Sequence, residues 1–221
     1  MRFNLPMAAL ALISTTGFAV AHGDVSPQPV NTDILPDVGE EWLTENPYRE
    51  DPEAFAAAIK IGDSGYNQNC ARCHGLGVVS GGLAPDLRYL EAEEYGDEWY
   101  IERFRYGYTQ NGTTKMPAFE EVLGQKAAWA IRSYIEARPE DGALDAFADR
   151  LSDIRDQLMA GEGDAAAIAA ELEEINAGVL TASGAPVADS AAIRAAHLLE
   201  QDEPDFNGAG EALTIGLSAA E

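Results

Sequence analysis

Cys70, Cys73 and His74 stand together in the order C-A-R-C-H, and the two cysteines are the only thiols in the 221-residue chain. Two thiols separated by two residues suit four kinds of chemistry. A redox-active dithiol belongs inside a βαβ pattern, and no such alternation is readable here. A structural zinc needs two further ligands at matched spacing, but only His22 and His197 remain, both remote. A plain disulfide leaves His74 without a purpose. The fourth use is addition of each thiol to one vinyl group of a haem, with the next residue setting an imidazole beneath the iron. C-x-x-C-H is the pattern of that covalent attachment, and it is the reading these residues favour.

A haem iron held by one imidazole has a second axial position, and its occupant separates a carrier from a catalyst. The candidate is Met116, in Gly112-Thr113-Thr114-Lys115-Met116-Pro117. Gly, Asn and Thr around it and Pro117 after it predict a loop, where a methionine is poorly explained as core filling. Met159 follows Leu158 in an amphipathic segment and reads as packing, and His197 sits in an Ala-rich helical segment. Pro85, eleven residues after His74, offers a backbone carbonyl to the other ring nitrogen of His74, which would fix its tautomer. A plain turn proline is the alternative at that position.

These residues need elements to hold them. Residues 54–69 carry apolar side chains at helical spacing and run straight into the cysteine motif. Gly62 and Tyr66 share one face of that helix. Residues 125–137 form a second helix with Trp129, Ile131, Tyr134 and Ile135, limited by Pro139. A small residue beside an aromatic lets the two helices cross closely. Between them, residues 99–106 (WYIERFRY) make a short aromatic helix capped by Gly107, which supplies apolar cover for one edge of a macrocycle.

The rest of the chain sets the context. Residues 1–21 read as a signal peptide, with Arg2, a short apolar run and the Ala19-Val20-Ala21 cleavage site, so export, naturally to a periplasm, is expected. An extended arm spans 22–53, a mono-haem domain 54–140 and an acidic Ala-rich helical extension 141–221. With 38 acidic and 14 basic residues the formal charge is −24, which argues against nucleic acid or an anionic membrane as partner. Seventeen of the acids face three arginines after residue 140. There, Leu144, Phe147, Leu151, Ile154 and Leu158 predict one amphipathic helix, and Ile168, Leu172 and Ile175 a second, stopped by Gly178. The Gly161–Asp164 turn makes them an antiparallel hairpin. A linker at 181–189, a third helix at 190–201 and a loose last twenty residues complete the reading. Arg72, Arg103, Arg105 and Lys115 fall near the motifs, so the haem edge should be less negative than the whole.

The order of a Gly/Tyr helix, CARCHG, the Pro85 loop, Met116-Pro117 and a Trp/Tyr helix resembles that of a class I cytochrome c over about residues 55–138. A narrower likeness lies in the segments 22–30 (HGDVSPQPV), Glu41-Trp42, Asn46-Pro47-Tyr48-Arg49 and Tyr66-Asn67-Gln68-Asn69. They resemble the periplasmic cytochromes c-550 and c-553 associated with PQQ-dependent (quinoprotein) alcohol dehydrogenases. The resemblance implies a mainly α fold, one covalent haem c on Cys70 and Cys73, and His74 and Met116 as axial ligands. It implies an electron carrier, not an enzyme, that accepts electrons from a quinoprotein methanol or ethanol dehydrogenase, as in methylotrophy. A downstream cytochrome or oxidase would receive them. Two other classes stay open: a fixed cytochrome subunit of a larger oxidoreductase, and a haem enzyme such as a peroxidase. Copper at His22 lacks a second nearby histidine.

Overall fold

The computed structural model describes residues 26–187 and 190–218. The signal peptide, the first residues of the expected arm, His22 among them, and the Ala188-Asp189 end of the expected linker lie outside the described residues.

Helix α1 spans Pro52–Asn69, started by the Asp51 side chain, which accepts from the N–H groups of Glu53 and Ala54, and by Pro52 at its first position. It runs directly into α2, the single turn Ala71–His74. After an irregular loop come α3 (Glu94–Tyr106), the strands β1 (Tyr108–Gln110) and β2 (Thr113–Met116), and α4 (Glu120–Glu136). Gly124, at φ 68°, breaks α4 after its first turn, so the regular helix starts at Gln125 as the sequence predicts.

The first core forms where α1 crosses α4. A Cβ on Gly62 would collide with the Ala130 carbonyl, and would sit 2.8 Å from Tyr134 Cβ. Tyr66 and Tyr134 then meet with ring centroids 5.4 Å apart. The expected small-beside-aromatic crossing is therefore how the two helices pack, and Trp129, Ile131, Tyr134 and Ile135 are all buried there.

The arm wraps this core and is pinned by buried charge. Arg49 donates to Asp97 at 2.8 Å and to Glu136 at 2.8 Å, and Arg132 donates to Asp97 at 2.7 Å. Asn46 donates to the same two carboxylates at 2.9 and 3.1 Å. Two arginines and two carboxylates balance one another, and without that pairing the carboxylates would be costly to bury. The Asn46-Pro47-Tyr48-Arg49 motif, which in the sequence carries only a resemblance, has this clamp on α3 and α4 as its physical role.

Two expectations need correction. The stretch Gly112–Pro117 is not a plain loop: it carries the second strand of an antiparallel hairpin over residues 108–116, with Thr109 opposite Thr114 and Tyr108 opposite Met116. Asn111 (φ 51°) and Gly112 (φ 74°) supply the two left-handed residues a tight hairpin turn requires, and Asn-Gly was the readable signal. The acidic segment is also more than a helical hairpin with a loose end. It forms α5 (Ala148–Met159), α6 (Ala165–Ala177), α7 (Ala191–Leu199) and α8 (Phe206–Ser218). The last of these fills the space between α5 and α7, so α5 packs chiefly on α8 while α6 packs on α7. Leu151, Ile154, Leu158, Leu172, Leu199 and Leu213 form this second core. Small residues make the close approach of α8 possible, since Gly210 lies under the Met159 side chain. Met159 itself is half exposed, covering α8 rather than filling the core.

Candidate haem-binding site

The attachment turn is built from local hydrogen bonds. Cys70 ends α1, its N–H donating to Tyr66 O at 2.7 Å, and its own carbonyl accepts from His74 N at 3.0 Å. Gly75 then turns the chain at φ 87°, where an added Cβ would strike the Val79 carbonyl. The Tyr66 hydroxyl donates to Gly75 O at 2.8 Å. Burial pushes that phenol well above its usual range, so it remains a donor. Tyr66 was legible as a packing residue; its hold on the end of the cysteine turn was not.

No disulfide joins Cys70 and Cys73. Burial, with the neighbouring Cys73, pushes the Cys70 thiol up to about 12. His74 Nδ1 lies 2.9 Å from Pro85 O. A carbonyl can only accept, so Nδ1 carries the proton and Nε2 keeps its lone pair. Burial, opposed by the Pro85 hydrogen bond and the nearby Asp86 charge, lowers the imidazole pKa and keeps the ring neutral.

Met116 reaches the site from the end of β2. Gly107, at φ 68°, caps α3 and lets the returning strand approach, because a Cβ there would collide with Met116 O and lie 2.8 Å from Pro117. Phe119 N donates to Phe104 O at 2.9 Å and closes the hairpin against α3.

These elements enclose a cavity of about 590 Å3 whose lining includes Cys70, Cys73, His74, Pro85 and Met116. Trp99, Tyr100, Phe104 and Phe119 give it an apolar wall, and Arg103 and Lys115 are its cations. Of the four basic residues singled out from sequence, these two line it. Arg105 is turned away to Glu120, 2.8 Å distant, and over the Trp42 ring. His197 is exposed on α7 and does not line the cavity. Two cysteines on one turn, a neutral imidazole with a bare nitrogen, a thioether and a largely apolar wall fit a haem attached through its vinyl groups.

Comparison with known proteins agrees with that donor set. A family profile described as "Cytochrome C oxidase, cbb3-type, subunit III" matches residues 57–135. Cytochrome c550 of Pseudomonas aeruginosa is 49% identical over 131 residues, covering 59% of this chain and 90% of that protein. Quinohemoprotein alcohol dehydrogenase ADH-IIG of Pseudomonas putida is 32% identical over 85 residues, which cover 38% of this chain and 11% of the dehydrogenase. The dehydrogenase subunit of the quinone-dependent alcohol dehydrogenase of Gluconobacter oxydans is 30% identical over 128 residues, 58% of this chain and 16% of that subunit. No solved structure matches the chain. Fold and cavity define the class as a helical c-type haem protein. The chain belongs to the cytochrome c family: it is an electron-transfer protein with covalently bound haem c.

Proposed function

We propose that this cytochrome works in the periplasm as a mono-haem carrier, taking electrons from a PQQ-dependent alcohol dehydrogenase and handing them to a downstream cytochrome or oxidase. Cys70 and Cys73 would hold the haem as thioethers, His74 Nε2 and the Met116 sulfur would ligate its iron, and Pro85 O would orient His74. The observation that carries the reading is that all five residues line one cavity. When bound, haem c supplies reversible one-electron chemistry at its iron. The protein's part is to exclude water with Trp99, Tyr100 and Phe104, to keep His74 neutral, and to saturate the iron. A histidine–methionine pair in an apolar wall favours the reduced state, so a fairly positive potential is expected. The dehydrogenase link is supported by the similarity to the quinohemoprotein alcohol dehydrogenases. Among the described residues no helix is long and apolar enough to cross a membrane.

Stopped-flow reduction of the oxidised holoprotein by a quinoprotein alcohol dehydrogenase and its alcohol tests the donor. Fast, saturable and salt-sensitive reduction is expected. Reduction no faster than by the alcohol alone would detach this cytochrome from alcohol oxidation.

A further inference from the structure

Behind the Pro85 carbonyl stands Arg88, outside the cavity wall and almost wholly buried. Its guanidinium forks onto Asp86, the residue after Pro85, with Nη2 2.7 Å from Oδ2 and Nε 3.0 Å from Oδ1. The backbone N–H of Arg88 donates to the same carboxylate at 3.1 Å. The remaining nitrogen, Nη1, reaches the chain leaving α4, donating to Asp141 Oδ1 at 2.8 Å and lying 3.4 Å from Pro139 O. On its far side Asp86 also accepts from Ser80 N at 3.4 Å, at the start of the Gly81-Gly82 stretch. Residues 80–86 have no helix or strand to aim the Pro85 carbonyl. The planar five-donor fork of an arginine is suited to fixing such a segment between two carboxylates, and a lysine cannot replace it.

We propose that Arg88 is a positioning residue for the haem: held to the start of the acidic extension through Asp141, it clamps Asp86 and thereby sets the hydrogen bond that His74 donates to Pro85. The inference rests on His74 being the axial ligand. A carbonyl accepting from the distal ring nitrogen raises the electron-donating power of the ligating nitrogen. A stronger donor stabilises oxidised iron and lowers the potential, and a slack hydrogen bond raises it. Loss of a nearby positive charge acts in the opposite direction, because it too stabilises oxidised iron. Arg88→Lys keeps the charge and removes the fork, so the sign of the shift separates geometry from charge.

The test measures two properties of the holoprotein: its midpoint potential, and solvent exchange of the His74 Nδ1 proton by NMR in the reduced state. Arg88→Lys is expected to raise the potential and to speed exchange about tenfold, the effect of slackening one hydrogen bond of ordinary strength. Asp141→Ala removes a carboxylate that is 72% exposed, so the fold tolerates it, and should speed exchange by a smaller factor. A folded Arg88→Lys holoprotein with unchanged exchange, or with a potential that is unchanged or lowered, overturns the proposal. Should that variant yield no holoprotein, unchanged exchange in Asp141→Ala overturns it instead. If the His74 ring protons of the unsubstituted protein lack the shifts of an iron-bound imidazole, the ligand assignment has failed, which the wild-type spectrum alone reveals, and this proposal falls with it.

Discussion

Met116 reaches the cavity from the end of a two-stranded hairpin, with Pro117 behind it and Gly107 beneath its carbonyl. A sulfur held in this way is presented by backbone geometry, so trimming it should leave the hairpin in place. Met116→Ala is expected to open the iron, lower the potential and allow prompt carbon monoxide binding where the unsubstituted protein binds none. Spectroelectrochemistry and carbon monoxide difference spectra check this, and an unaltered spectrum and potential would remove Met116 from the site. At this scale the grouping of residues around the cavity was largely legible, because C-x-x-C-H and Met-Pro are local patterns whose residue types have few other uses. Arg88 escaped notice for the opposite reason. Its Asp86 partner is local, two residues away, but Asp141 lies 53 positions away and only the fold brings it near. The same holds for the pairing of Arg49 with Asp97 and Glu136, where no periodicity links the partners.

Helices show which sequence signals survive folding. The crossing of α1 and α4 was readable because it depends on a pattern of sizes, a glycine one turn before a tyrosine facing a bulky helix. Its energetics follow from the same pattern. In Gly62→Ala the new methyl meets backbone at Ala130, which cannot swing aside, so a loss of about 3 kcal/mol is expected. Gly81→Ala, whose added Cβ meets nothing within 4 Å, should stay within about 0.5 kcal/mol of the parent. Denaturant unfolding of the two holoproteins checks the contrast, and equal midpoints would mean that α1 and α4 can slide apart at little cost. Helix α8 was missed for a related reason. Its sequence, FNGAGEALTIGLS, holds three glycines and few bulky residues, so it lowers helix propensity and blurs the apolar stripe. Those small residues are what admit it between α5 and α7, where Leu213 is fully buried. Tertiary packing here outweighs local preference.

For the whole molecule, charge is unevenly shared, and the consequence depends on distance. The formal charge of −24 is a long-range field, whereas Arg103 and Lys115 at the cavity are a short-range one. The Debye length is about 30 Å at 0.01 M salt and about 8 Å at 0.15 M, so an approaching ion senses the whole protein in the first case and the cavity surroundings in the second. Reduction of the oxidised protein by the anion hexacyanoferrate(II) should therefore quicken as salt rises, because screening removes the repulsion of the acidic surface first. Lys115→Gln should slow that reaction at 0.15 M salt, where only nearby charge counts. Neutralising Glu173 and Glu174, exposed on α6 and absent from the cavity lining, should speed it at low salt and leave the high-salt rate unchanged. Stopped-flow traces across the salt range for the three proteins test this division. If Glu173→Gln with Glu174→Gln also alters the high-salt rate, the extension must lie within screening distance of the path by which electrons enter, and it would have to be counted as part of the docking face.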